Sequence, residues 1–351
     1  MQTENLIIGG GLSGLYLAYQ LTQRGEDFLL VEARDRLGGR IDNHRGVDLG
    51  PTWFWPGQHR IAKLAKELGI TAFEQQNKGD ILYEDPNVQS ERIPSQQYQM
   101  TSYRLEDGTS RLIEGLATEI STDRILLGHH VTALSHTNNG IEVRLKTSNN
   151  TSPITTKRVF LALPPRLIAQ HITFTPTLDE EALGKMTSIP TWMAGQAKAA
   201  IQFETPFWRD HKLSGQAFSR LGPLVEIHDA SAAEDAPYAL FGFIGGTPRQ
   251  RKEIGEIKLK HLIKQQIERL YGTDTPAPLE ITIKDWSTDQ FTATKEDMEP
   301  LQSHPSYGLP KALTNLWNNQ LILTGTEVAS SEGGYLEGAL IAADDAIAHI
   351  T

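Results

Sequence analysis

The sequence predicts an α/β fold of two units: a βαβ unit at the N-terminus and a second unit of mixed α+β character. Three observations carry this. The chain has 351 residues, more than one hydrophobic core comfortably fills. Its N-terminal stretch reads strand, glycine turn, helix, strand, acid. A further strand and a glycine-opened helix close the chain.

Composition narrows the class. With 39% hydrophobic and 22% charged residues, the chain is an ordinary globular one. The net charge of −10, with acids and bases interspersed, argues against nucleic acid or an anionic membrane as a partner. The absence of cysteine excludes disulfides, thiolate metal sites and a cysteine-linked cofactor. The start, MQTENLIIGGG, has neither the charged nor the apolar region of a signal peptide, and no apolar run is long enough to span a bilayer. A cytoplasmic protein is expected. His129-His130 has no carboxylate or third histidine at ligand spacing, so no metal site is expected.

In the first unit, residues 5–8 (NLII) suit a buried strand. Gly9, Gly11 and Gly14 form G-x-G-x-x-G. A helix follows over 12–24, with Leu15, Ala18, Tyr19, Leu21 and Thr22 on its stripe and Gly25 as its stop. Residues 28–31 (FLLV) form the second strand, which ends on Glu32. The chemistry explains the spacing. Gly9 permits a tight turn, Gly11 lets backbone N–H groups approach a pyrophosphate, and Gly14 lets helix and strand pack closely. The helix N-terminus faces the negative charge, and Glu32 is placed to accept ribose hydroxyls. Ser13 is no hydrolase nucleophile, because Leu15 stands where G-x-S-x-G needs glycine.

EARDRLGGR (32–40) then sets Arg34, Arg36 and Arg40 close behind the acid. A ligand buried along its whole length, as FAD is, has use for a second basic contact at its pyrophosphate. A solvated charged loop fits the same residues, and they do not decide between the two.

The remaining elements follow in order. Residues 59–68 form an amphipathic helix, with Ile61, Leu64, Ala65 and Leu68 on one face and Gly69 as its cap. Residues 74–103 are polar and irregular. Residues 103–120 read as a turn and a helix. Residues 125–134 and 141–145 are β-like runs joined by Asn138-Asn139-Gly140. Residues 158–163 are a buried strand stopped by Pro164-Pro165. In AKAAIQFETPFW, alternation puts Lys198 on a face with Ala200 and Gln202, where it reads most simply as a solvated strand residue. Phe207-Trp208, residues 240–244 and a helix over 257–270 give the second unit its own core. Residues 320–324 are a strand, and Gly333-Gly334 opens a helix that runs from Tyr335 to the end.

GGGLSGL, EARDRLGGR and VDLGPTWFWPGQHRIAKLAKELG together resemble the flavin-dependent amine oxidases, a family that includes monoamine oxidase, polyamine oxidase and L-amino acid oxidase. The resemblance continues at intervals to the C-terminus. It implies an FAD-binding Rossmann-like domain over residues 1–72, 104–168 and 288–351, and a mixed α+β substrate domain over 73–103 and 169–287. It implies that Gly9, Gly11, Leu12, Ser13 and Gly14 bind the pyrophosphate turn. Glu32 and Ala33 would meet the adenosine ribose, and Arg34, Gly39 and Arg40 would lie near ribose and phosphates. The segment Asp48-Leu49-Gly50 matches the family's acid and glycine before the flavin, so Pro51, Thr52 and Trp53 would line the ring. Val131 would offer its backbone to the adenine, though an ordinary core valine suits the position too. Lys198 matches a lysine that holds a water at flavin N5. Trp286 matches a tryptophan near the ring, and core packing suits the position equally. Gly325, Thr326 and Glu327 match a ribityl-binding segment. The Gly334–Leu336 helix start would face the charge of the reduced flavin. Tyr335 would flank the substrate, or else be a core tyrosine at a helix start.

One place departs from the pattern. Counted without gaps from Trp286, the family's flavin-linking cysteine and second cage tyrosine fall at Lys295 and Glu296. A noncovalent flavin and a one-sided aromatic cage are therefore expected. The implied function is oxidation of an amine C–N bond to an imine with a small-molecule amine as substrate. The rivals are a desaturase or reduced-nicotinamide oxidase on the same fold, and a non-catalytic flavoprotein that binds a partner.

Overall fold

A computed structural model describes residues 1–94, 101–147, 153–234, 236–299, 301 and 303–350; part of the polar 74–103 stretch lies outside the described residues. Two sheets organise the chain. The first has eight strands, in the order Thr173–Thr175, His130–Thr137, Gly140–Lys146, Ile154–Leu161, Gln2–Ile8, Phe28–Val31, Ile125–Leu126, with Leu321–Leu323 also paired to Ile154–Leu161. Its centre is parallel: Ile8 stands level with Val31 and Leu161, and Leu161 with Leu323. Where they lie side by side, residues 6–8, 28–31, 159–161 and 321–323 are continuous apolar runs, because helices cover both faces. The residues that follow the strand ends, Gly9, Glu32, Ala162 and Thr324, are thus gathered along one edge, where α/β sheets hold their ligands.

Helices Leu12–Arg24, His59–Glu67, Ser110–Thr118 and Leu336–Ile347 cover one face, with Leu15, Leu21, Ile61, Leu64, Leu112 and Leu340 wholly or almost wholly buried. Each such side chain contributes about 1.5–3 kcal/mol relative to exposure. Pro165–His171 and Glu180–Ser188 cover the other face. The helix Leu12–Arg24 has the predicted bounds, and Gly25 ends it at φ +69°, in the left-handed region.

The second sheet has seven strands, in the order Glu280–Asp285, Ala197–Phe203, Tyr238–Ile244, Leu224–Asp229, Leu213–Ser219, Asp80–Asp85, Val88–Ile93. Pro248–Ile254 and the longer Glu256–Tyr271 adjoin it, and Leu259, Ile263 and Ile267 of the latter pack on Ala197, Ala199 and Ile201. On the opposite face, Ala200 and Phe241 pack on Val47 and Leu49 of the first unit.

Three expectations change. The stretch 74–103, expected to be irregular, supplies the paired strands Asp80–Asp85 and Val88–Ile93 of the second sheet. The β-like run 125–134 is two strands at different places in the first sheet, broken at Gly128, whose φ of +69° turns the chain away. Residues 173–175, expected in the second unit, pair with His130–Thr137 of the first sheet, and the helix Glu180–Ser188 packs there too. On that side the second sheet begins at Ala197.

Candidate active site

The glycine turn is built as its spacing requires. Gly9 has φ +111°, and a Cβ there would lie 2.5 Å from the Ala162 carbonyl oxygen. A Cβ on Gly14 would lie 2.0 Å from the Gly9 carbonyl oxygen, so only glycine lets this helix cross its strand. Gly11 is open, with its nearest neighbour for a Cβ at 4.0 Å. Gly38 donates to the Gly10 carbonyl at 2.8 Å, and Gly39 lies over Gly11, so the second glycine pair is folded onto the first turn. Leu12 packs in the core, and the Ser13 hydroxyl donates to the Thr324 carbonyl, joining the N-terminal turn to the C-terminal strand.

Glu32 is buried, and both its oxygens accept backbone N–H groups: Gly10 at 2.7 Å and Arg34 at 2.8 Å. The half-buried Ala33 follows. The three arginines divide their work. Arg36 donates to the carbonyls of Leu37, Gly39 and Ile41 and shapes the loop. Arg34 donates to Asp289 at 2.6 Å and Thr292 at 3.0 Å, under the ring of Phe291. Arg40 pairs with Glu327 at 2.6 Å. Arg34 and Arg40 are therefore ties to distant segments and Arg36 a local brace, rather than parts of a solvated loop.

Glu327 is fully buried. Its Oε1 takes the Arg40 bond, and its Oε2 has no partner within the protein. A buried carboxylate oxygen left unpartnered calls for a donor from a ligand. Gly325 sits against the Leu163 carbonyl, and a Cβ there would lie 2.7 Å from that oxygen. The Thr326 hydroxyl accepts from Gly334 N at 2.9 Å and donates to the Tyr335 carbonyl at 3.0 Å. Leu336 begins the last helix, whose N-terminus, like that of Leu12–Arg24, has no side-chain cap. Two uncapped helix starts, an open glycine turn and an unpartnered acid fit a dinucleotide that carries a polyhydroxyl chain.

The second sheet closes on this edge through Lys198. Its strand is buried along its whole length, and Lys198 lies on the face turned to the first unit. The ammonium donates to the Gly50 carbonyl at 3.0 Å and to the Thr52 hydroxyl, and lies 3.9 Å from the Phe241 ring centre. Burial pulls its pKa down to about 7, with Asp48 opposing and Arg104 reinforcing the shift. Asp48 is held by Thr109, and burial pushes its carboxyl above the usual range. Trp286 donates from Nε1 to the Leu49 carbonyl at 2.9 Å, and half-buried Trp53 donates to Gln75 at 2.7 Å and packs on Phe241. Pro51 lies between Gly50 and Thr52 and accepts from the Thr109 hydroxyl at 3.0 Å. Val131 is a core residue of the first sheet, at a register shift in its ladder.

Tyr335 is not alone. Its ring is stacked on His304, with centroids 4.7 Å apart and planes 5° from parallel, and Trp55 meets it edge-on at 5.5 Å. Trp192 and Tyr307 meet the other sides of His304. Lys295 and Glu296, where the ungapped count falls, lie exposed on a short 3-10 turn, and the ring stacked on Tyr335 is His304. Trp192 and His304 escape sequence reasoning because TWMAG and SHPSYG have no periodicity to place them. Among the described residues no cluster of histidines and acids could hold a metal ion, and no helix is long and apolar enough to cross a membrane.

Residues 88–350 match the family model described as flavin containing amine oxidoreductase, and residues 7–68 match an NAD(P)-binding Rossmann-like domain. The chain belongs to the flavin-containing amine oxidoreductase family; it is an amine oxidase-like oxidoreductase, and its cofactor is FAD. It is 21% identical to a probable flavin-containing monoamine oxidase A of Dictyostelium discoideum, over 95% of this chain and 94% of the relative. It is 23% identical to flavin-containing amine oxidase B of Sus scrofa, over 98% and 85%. Among solved structures it is similar in fold to a putrescine oxidase bound to putrescine (TM-score 0.81, 18% identity, 100% of this chain and 99% of the other). It is also similar to a cyclohexylamine oxidase from Brevibacterium oxydans (TM-score 0.82, 18% identity, 99% and 98%).

Proposed function

We propose that the protein oxidises a small amine at its C–N bond, with noncovalent FAD held along the edge between the two sheets. When bound, FAD would supply at N5 a two-electron acceptor for a hydride equivalent from the amine's α-carbon, which would leave an imine for water to hydrolyse and electrons for oxygen or another acceptor. Every other part of the work falls to the backbone and side chains of the protein. The turn Gly9–Gly14, with Leu12 and Ser13, holds the pyrophosphate; Glu32 and Ala33 hold the adenosine ribose beside Arg34, Gly39 and Arg40; and Val131 offers backbone to the adenine. Glu327 takes ribityl hydroxyls with its unpartnered oxygen, supported by Gly325 and Thr326. The uncapped helix start at Gly334, Tyr335 and Leu336 faces the charge that reduction develops. Pro51, Thr52, Trp53 and Trp286 border the ring.

The observation that carries the redox role is Lys198. Its partners are a carbonyl, a hydroxyl and an aromatic face, so its amine is placed by geometry, and burial brings its pKa down to about 7. Such a group can hold and orient a water at the reacting edge. No side-chain base is needed if the amine arrives neutral, and Tyr335 flanks its approach. The test is anaerobic bleaching of the bound flavin against a panel of amines, amino acids and polyamines. Reduction by at least one amine is expected, and a flavin that no amine bleaches overturns the proposal.

A further inference from the structure

We propose that Glu226, held in place by His228, is a specificity-determining residue: it takes a cationic group that the substrate carries a few carbons away from the amine that is oxidised. The inference rests on the amine-site proposal above and names its substrate class, a diamine or another amine with one remote ammonium. The oxidised amine arrives neutral, as that proposal requires, and the charge belongs to the other end of the molecule.

The register of the second sheet sets the arrangement. In antiparallel pairs, residues directly opposite each other point to the same face. Lys198 stands opposite Phe243, and Phe243 opposite Glu226. One row thus runs from the lysine through an aromatic ring to an acid. The next row on the same face is Ala200, Phe241 and His228. This face packs on Val47, Leu49 and Trp53 of the first unit, whereas Ile227 and Leu240 point the other way, to helix Glu256–Tyr271. Neighbouring strands lie about 4.8 Å apart, so the backbone of Glu226 is about 10 Å along the row from that of Lys198.

The wall between the two is aromatic. Phe241 has the Lys198 ammonium 3.9 Å from its ring centre, and His228 stacks on it at 5.3 Å. Trp53, proposed to border the flavin, meets His228 edge-on at 4.8 Å and Phe241 at 5.1 Å. Such rings hold a methylene chain by contact. At the end of the wall His228 Nε2 lies 2.6 Å from Glu226 Oε1. A carboxylate only accepts, so the imidazole donates from Nε2, and a ring fixed between Trp53 and Phe241 fixes the acid. The Glu226 side chain keeps 38% of its surface open, against 12% for His228. Among the described residues no lysine or arginine pairs with Glu226. The lysines of this sheet face are engaged elsewhere: Lys198 with Gly50 and Thr52, Lys284 with Asp42 and Asp289. An oriented carboxylate at the open end of an aromatic wall has room for one more cation.

The experiment compares two primary amines of one shape. The first is aminobutyl-trimethylammonium, whose remote cation never titrates. The second is its uncharged isostere, with a tert-butyl group in place of the trimethylammonium. The anaerobic reductive half-reaction of the holoenzyme gives an apparent Kd and a limiting rate for each. The shift of the flavin spectrum on mixing gives binding without turnover. Wild type is expected to bind the cationic amine more tightly. Glu226→Gln is expected to lower that preference by about three- to fivefold, the scale of a partly open ion pair, and Glu226→Lys to reverse it. A wild-type preference for the uncharged amine, or a preference that both variants leave unchanged, overturns the inference. Flavin reduction by both amines with no Glu226-dependent preference removes this inference alone, whereas a Glu226-dependent preference in binding with no reduction removes the proposed reaction.

Discussion

The Lys198 ammonium, on the second sheet, donates to the carbonyl of Gly50, on the first unit, at 3.0 Å. Trp286 makes the parallel contact one residue earlier, to the carbonyl of Leu49 at 2.9 Å. The second sheet thus grips the segment proposed to border the flavin by its backbone. A change of charge at Lys198 is therefore felt at that segment directly.

Lys198→Met keeps the stem and removes the charge. Flavin reduction by substrate, reoxidation, or both should slow by an order of magnitude or more, because lost preorganised contacts commonly cost ~2.7–4 kcal/mol. Stopped-flow absorbance of each half-reaction measures this, and wild-type rates in both would return Lys198 to a packing role. The pH effect has a definite sign. Burial brings the folded pKa down to about 7, while the unfolded chain titrates near 10.4. Between those values the unfolded chain carries a proton that the folded one has shed, so wild type gains stability relative to Lys198→Met as pH rises through that window. Denaturant midpoints of the two proteins from pH 7 to pH 10 check it.

Glu32→Ala should lower FAD affinity by at least tenfold. It removes the acceptor of the Gly10 and Arg34 N–H groups as well as the proposed ribose contact, and hydrogen bonds to a charged group are worth about 1.5–3 kcal/mol each. Glu32→Gln separates the two effects, since it keeps an acceptor for one N–H and loses the charge. FAD titration by fluorescence quenching measures both variants, and unchanged affinity in Glu32→Ala would reduce Glu32 to a brace for the turn.

The N-terminal unit was legible because its determinants are local: Gly9, Gly14, Gly25 and Glu32 lie in one short stretch, and each answers to the backbone beside it. Lys198 was not legible from alternation, which supposes one solvated face. Its strand lies between helix Glu256–Tyr271 and the Val47–Leu49 segment, so both of its faces are buried. The partners of Arg34 and Arg40, Asp289 and Glu327, are distant in sequence, as is His304 from Trp192. Such pairings leave no periodic trace. The run 125–134 misled because strand propensity on both sides of Gly128 hides a change of place within the sheet.

The bound FAD should leave intact when the protein is denatured by acid or heat. No cysteine exists to hold it, and Lys295, where the ungapped count puts the linking residue, is an exposed lysine. Spectra of supernatant and precipitate after denaturation decide the point: yellow precipitate and colourless supernatant would mean a covalent link to another side chain.

Glu327→Gln tests the acid that the fold leaves half-satisfied. The wild-type carboxylate is fully buried, pairs with Arg40 at 2.6 Å, and leaves Oε2 without a protein partner. Glutamine keeps the shape and removes the charge, so Arg40 loses its counterion. Breaking a buried pair from one side costs about 3–5 kcal/mol; the Arg40 side chain keeps 27% of its surface open, which puts the expected loss at the low end, about 3 kcal/mol. If Oε2 receives a ribityl hydroxyl, FAD affinity should fall as well, by tenfold or more. FAD affinity is measured by titration of the apoprotein at matched temperature, beside the denaturant midpoint. A loss of stability with unchanged FAD affinity would assign Glu327 to the ion pair alone.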